Sequence, residues 1–110
     1  MRYSRAMTIN VPLLARICEA PGAPGYEKKI RELVLAELTG LADEVRVDNM
    51  GNVVALKKGR SSATKTMAAA HMDEIGFIVT HIDDKGFVFF NPVGGFDPKT
   101  LTAQRVIIHG

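Results

Sequence analysis

Thr66-Met67-Ala68-Ala69-Ala70-His71-Met72-Asp73-Glu74 is where the chain changes character. Its first five residues are short, apolar and flanked by polar signals. Alanine favours a helix, but five residues make a poor one, so the run predicts a buried central strand. Upstream, the apolar spacing is helical and then hairpin-like. Downstream, from Ile75 onward, it is that of strands. The stretch therefore reads as a junction between two differently built pieces, 1–72 and 73–110.

Working back from the junction, Asn10 is a good helix cap and Pro12 falls in the first turn, where its missing donor costs nothing. Val11, Leu14, Ala15 and Cys18 follow at helical spacing until Pro21, Gly22, Pro24 and Gly25 stop the helix. A second helix is predicted from about Tyr26 to Thr39. Ile30, Leu33, Val34, Leu38 and Leu41 form its apolar stripe, with Glu27, Lys28, Lys29, Arg31, Glu32 and Glu37 on the wet side. Gly40 is placed to end it. From Val45 the period is two: Val45 to Asp48 and Val53 to Leu56 are strands, joined by a turn over Asn49-Met50-Gly51-Asn52. Lys57 to Lys65 is a polar loop.

Working forward, Ile75 to Ile82 is a predicted strand, Asp83-Asp84-Lys85-Gly86 a hairpin turn, and Phe87 to Phe90 the returning strand. Asn91 to Gly95 is a glycine-rich loop, Asp97-Pro98 a cap for one helical turn, and Arg105 to Ile108 a further strand. A domain rarely ends on a bare apolar strand, because the open edge invites pairing. The close at His109-Gly110 therefore reads as a truncation. The predicted class is α/β: two helices and a mixed sheet, followed by the first strands of a β-rich piece.

Composition narrows the function. A hydrophobic share of 46% is that of an ordinary soluble globular protein. Fourteen basic and 12 acidic residues are spread along the chain, giving +2 without the basic patch that nucleic acid or an anionic membrane requires. No apolar run approaches a membrane span, and Met1-Arg2-Tyr3-Ser4-Arg5 is not followed by a signal-peptide core. The single cysteine, Cys18, cannot form an internal disulfide, which fits a reducing cytoplasm. On its helix it reads as a small buried apolar residue.

His71 and Asp73 are the sharpest local feature. Residues two apart on an extended chain project to one side, so imidazole and carboxylate converge just past the end of the predicted strand. A neutral imidazole is a good zinc or cobalt ligand, and a carboxylate behind it can fix the ring and raise its basicity. His-x-Asp also arises often by chance. On spacing alone, a surface histidine with an incidental acidic neighbour is the stronger reading. His81 reads as a sheet histidine, and His109 tells little. Asp48 and Asn49 read as turn residues bonding locally, with a supporting role for Asp48 at a site the minor alternative. Gly94-Gly95 lacks the rest of a phosphate-binding motif and reads as a sharp turn. Tyr26 and Phe96 read as packing residues.

Five stretches together resemble the glutamyl and deblocking aminopeptidases, the tetrahedral aminopeptidases often labelled endoglucanase M. They are Glu19-Ala20-Pro21-Gly22 with Gly25-Tyr26-Glu27, then Val47 to Val53, then Ala70 to Phe77, then Val93-Gly94-Gly95-Phe96, and finally Arg105 to Gly110. They occur in family order and cover nearly the whole chain. The resemblance implies removal of N-terminal residues from peptides with two divalent metals, zinc or cobalt, that activate water. It makes His71 a metal ligand and Asp73 the catalytic auxiliary that orients it. The general-base glutamate and remaining ligands lie downstream in the family, and Glu74 is not that base. The resemblance further implies that 1–72 begins an α/β catalytic domain and 73–110 an inserted β-rich dimerisation domain. It also implies a homo-oligomer built from dimers, in the family a dodecamer.

One histidine with its orienting aspartate cannot hold two metals, so the chain by itself is expected to be inactive. A non-catalytic self-association module or a truncated remnant is the alternative. A zinc acylase or carboxypeptidase shares the His-x-Asp arm, but the continuation Met72-Asp73-Glu74-Ile75-Gly76 favours the aminopeptidase.

Overall fold

The computed structural model describes residues 8–61 and 63–109. Met1 to Arg5, read above for a signal segment, and the closing Gly110 lie outside the described residues.

Helix α1 spans Val11–Glu19, with the Asn10 side chain accepting a hydrogen bond from the Leu13 N–H at 3.1 Å. That contact answers one of the donors every helix N-terminus leaves free. Helix α2 spans Lys28–Leu38, starting two residues later than the spacing predicts. The Tyr26 N–H bonds back to the Ala23 carbonyl at 2.8 Å, so the chain is still turning there. Gly40, at φ +75°, closes the helix as expected. Arg16 of α1 meets Glu37 of α2 at 2.6 Å on the surface.

Of the predicted apolar stripe, Ile30 is buried at 3% exposure, Leu33, Val34 and Leu38 are half-buried, and Leu41 is exposed. Ile30 is the one buried hydrophobic side chain among the described residues. Cys18 and Tyr26 contradict the packing roles read for them. Cys18 is exposed because nothing described lies over that face of α1, and Tyr26 is 74% exposed at the turn leading into α2.

Strands β1 (Glu44–Val47) and β2 (Val53–Leu56) pair antiparallel, as do β3 (Gly76–Ile82) and β4 (Val88–Val93). Both hairpins solve their turn identically. In the first, the Gly51 N–H bonds to the Asp48 carbonyl at 3.0 Å and the Asp48 N–H to the Asn52 carbonyl at 3.1 Å. In the second, Gly86 and Asp83 make the equivalent bonds with Asp83 and Phe87, each at 3.0 Å. Each glycine has φ +86°. This is the three-residue hairpin loop in which a left-handed residue follows the turn, and only glycine adopts that conformation freely. The aspartate opening each loop accepts two further backbone N–H bonds through its side chain.

β4 runs on through Asn91 and Pro92 to Val93, into the segment expected to be loop. Pro92 is tolerated because β4 is an edge strand in a two-stranded pair. Opposite it, β3 carries a bulge: Val79 pairs with Phe90 and His81 with Phe89, leaving Thr80 between them. The Thr80 hydroxyl donates to the Phe89 carbonyl at 3.2 Å. His81 lies exposed on the sheet as read. Phe96 packs as expected, stacked on Phe77 at 4.6 Å between ring centroids. Asp97 accepts from the Lys99 N–H and starts a short helical turn over Pro98–Thr100.

Two predicted strands do not form. Thr66 to Ala70 and Arg105 to Ile108 are exposed and lack strand pairing. A strand exists by its neighbour's hydrogen bonds, and no described segment lies alongside either run. Of the mixed sheet expected before the junction, the described residues contain the antiparallel β1–β2 hairpin.

Candidate functional site

The junction stretch crosses the helical body at the Pro21–Gly25 loop. The Glu74 N–H donates to the Gly22 carbonyl at 2.9 Å, and the Gly22 N–H donates to Glu74 Oε1 at 3.0 Å. Gly22 is buried, and a Cβ there would stand 3.0 Å from Ile30 Cγ2 and 3.5 Å from the Met72 carbonyl oxygen. A Cβ on Gly76 would likewise meet the Ala23 methyl at 3.0 Å. The two backbones approach so closely because both positions lack a side chain.

His71 and Asp73 sit at the edge of this crossing and face the same recess. The His71 Nδ1 is 3.1 Å from Asp73 Oδ1 and 3.0 Å from the Asp73 carbonyl oxygen. Both partners are acceptors, so in the neutral ring they place the proton on Nδ1 and leave the Nε2 lone pair free. The ring is open to approach: the His71 side chain is 84% exposed and that of Asp73 42%. This is the arrangement in which a carboxylate orients a metal-binding imidazole.

Opposite the arm, Arg31 of α2 donates from Nη1 to the Gly51 carbonyl at 3.0 Å, tying the helix to the β1–β2 turn. A Cβ on Gly51 would overlap that guanidinium, a second reason for glycine there. Between these walls lies a recess of about 150 Å³, lined by Glu27, Arg31, Met50, Gly51, Asn52, Ala70, His71, Met72 and Asp73. Glu74 is absent from this lining, its carboxylate being turned toward Gly22. Among the described residues, no three His, Cys, Asp or Glu side chains come together as a cation site. His109 and His81 are not among the residues lining the recess.

Spacing alone brought out His71 and Asp73. It missed Arg31, which reads as one of several charges on a wet helix face, and the grip of Glu74 on Gly22, which spans 52 positions. The one sequence signal for that grip is the Pro21-Gly22-Ala23-Pro24-Gly25 run, whose first glycine is needed for close approach rather than for turning.

Asp48 plays the local role read for it and shapes one wall of the recess. Its carboxyl is held below the ordinary aspartate value by the Asn52 side chain, the Asn52 backbone N–H and the Met50 N–H, all bonding the charged form. Because the folded value is the lower one, this contribution is fully present above the usual value of 3.8. It is lost as pH falls through the depressed value. The Met50 and Asn52 amide resonances are therefore expected to shift together with an apparent midpoint below pH 3.8. Asp48→Ala should remove that titration. An unshifted midpoint would show that the side chain does not hold the turn.

Compared with known proteins, residues 51–110 match the M42 glutamyl aminopeptidase family. The chain is 50% identical over 99 residues to the lysyl aminopeptidase of Pyrococcus furiosus, covering 89% of this chain and 28% of that protein. Among solved structures it is similar to a Thermotoga maritima protein described as an endoglucanase, with a TM-score of 0.75 and 44% identity over 80% of this chain and 28% of that one. It is also similar to a TET aminopeptidase from a marine-sediment thaumarchaeote, with a TM-score of 0.73 and 32% identity over 83% of this chain and 25% of that one. The chain thus spans between a quarter and a third of the length of these relatives.

Proposed function

The chain belongs to the M42 glutamyl aminopeptidase family, and from that premise we propose that it supplies one metal-ligand arm of an enzyme that removes N-terminal residues from peptides. The observation that carries this reading is the free Nε2 of His71, with Nδ1 committed to Asp73 and the ring open to a recess. A satisfied structural histidine would use both nitrogens or be packed away. This one is oriented by a carboxylate and left open.

The cofactor in this reading is two divalent ions, zinc or cobalt. The residues present fit them as a single arm, with His71 Nε2 as the ligand and Asp73 behind it. When bound, such ions supply Lewis acidity and bring the pKa of water toward neutrality. The chain's own contribution is positional. Asp73 keeps the proton on Nδ1, prevents the ring from turning over, and holds Nε2 on the recess side. One histidine does not satisfy two metals, so the 110 residues are inactive by themselves in this reading, and the remaining ligands and general base come from outside this segment. Residues 1–72 then begin the catalytic domain and 73–110 a β-rich dimerisation domain, in a cytoplasmic homo-oligomer that acts on peptides. A non-catalytic self-association module is the second reading, favoured by the exposed Ile78, Ile82, Phe87 and Phe89 of the β3–β4 hairpin and its turn. Among the described residues no helix is long and apolar enough to cross a membrane.

The test is an intact protein carrying this segment, assayed on a panel of peptides with free or acetylated N-termini. Release of N-terminal residues from the free peptides alone is expected. Exhaustive chelation should lower that activity by more than about a hundredfold, since metal catalysis supplies several kcal/mol. Zinc or cobalt should restore it. Activity that survives metal removal would overturn the reading, as would equal cleavage of the acetylated peptides.

A further inference from the structure

Orienting an imidazole ligand takes two constraints, one on the ring and one on the backbone that carries it. Asp73 meets the first, because it fixes the His71 ring relative to its own segment. It does nothing to fix that segment relative to the rest of the molecule, since histidine and aspartate would swing together. On the N-terminal side, Thr66 to Ala70 is exposed and belongs to no helix or strand. The hold on the arm lies on the other side, at Glu74.

Resting on the reading of His71 as a ligand, we propose that Glu74 is a positioning residue, which sets the His71 arm against the helical body by gripping Gly22. The grip is reciprocal. Glu74 donates through its backbone N–H to the Gly22 carbonyl and accepts through Oε1 from the Gly22 N–H, at 2.9 and 3.0 Å. Two bonds between the same two residues fix both separation and orientation, which one bond cannot. Gly22 is a firm anchor, because it is buried and rests against Ile30, the buried side chain of α2. The Met72 carbonyl lies in the same contact, one residue from His71. The carboxylate of Glu74 therefore serves the site through the backbone, from outside the recess.

The role needs an acceptor oxygen at the end of a three-carbon side chain and does not need its charge. Glutamine keeps that oxygen and alanine does not. In the metal-free intact protein, titrated with zinc, Glu74→Ala is expected to weaken binding at least about tenfold, the scale seen when a group supporting a ligand is removed. The visible spectrum of the cobalt-loaded variant should change with it. Glu74→Gln should restore affinity to within about twofold and return the native cobalt spectrum. If Glu74→Ala does not fold, Glu74→Asp makes the same comparison by withdrawing the carboxylate one methylene, with a loss again expected. His71→Ala is run beside them. Lost metal uptake in His71→Ala, with native affinity and spectrum in Glu74→Ala or Glu74→Asp, overturns the positioning role alone. A Glu74→Gln loss as large as that of alanine also overturns it, by showing that charge matters and the bond does not. Unchanged uptake in His71→Ala overturns the ligand assignment and the positioning role with it.

Discussion

Replacing His71 by alanine in an intact protein carrying this segment is expected to remove one metal ion per chain and to lower peptidase activity by more than about a hundredfold. The two losses should come together. His71 has its Nδ1 committed to Asp73, so its sole free donor is Nε2, and the ring is exposed without a packing role that alanine would disturb. The variant should therefore melt close to the parent when both are metal-free. Elemental analysis counts the metal, and a peptide assay reads the activity. A variant that keeps full metal content and full activity would return His71 to a surface histidine beside an incidental acid. A variant that loses activity but keeps both metals would point to a substrate contact instead.

The features legible in the sequence are those that depend on few residues close together. Asn10 before an apolar period, Asp48 and Asp83 three residues ahead of a glycine, and Gly40 after a helical stripe each specify their local geometry through their own bonds. What the spacing missed depends on partners far along the chain. Thr66 to Ala70 and Arg105 to Ile108 have strand composition, but pairing needs a neighbour that the described residues do not place beside them. β4 overran its predicted end because Pro92 breaks a central strand and not an edge. The α2 stripe gave the right face while overstating its burial, since Ile30, against Gly22, is the one member of the stripe that is buried.

The site divides in the same way. The convergence of His71 and Asp73 follows from their spacing of two and is what the structure has. Its meaning did not follow, because the same spacing describes any histidine beside an acid. The metal-ligand reading proposed for them rests on the resemblance carried by stretches along nearly the whole chain. Glu74 could be set aside as a base, but its grip on Gly22 links positions 52 apart and has no local signature. Arg31 is hidden likewise among Lys28, Lys29 and Glu32 until its bond to Gly51 is seen.

Asp73→Asn separates orientation from ligation and is expected to produce the second-largest loss. Asparagine keeps the size of the side chain and an oxygen that can still accept from Nδ1. It removes the negative charge behind the ring, and its amide can instead donate to Nδ1. If it donates, the proton moves to Nε2 and the ligand is blunted, as happens when a carboxylate behind a catalytic histidine becomes an amide. The Asp73 carbonyl, 3.0 Å from Nδ1, opposes that reversal because it can only accept. A backbone acceptor and a charged side-chain acceptor thus hold the same proton, and the variant weakens the second of the two. Most of the metal should therefore remain, with affinity lower by about tenfold, while turnover falls by about a hundredfold or more. Metal content and activity measured on one preparation distinguish the cases. Equal losses of both would make Asp73 a support for binding alone. Full activity with asparagine would show that the charge is dispensable and that the Asp73 carbonyl is sufficient to orient the ring.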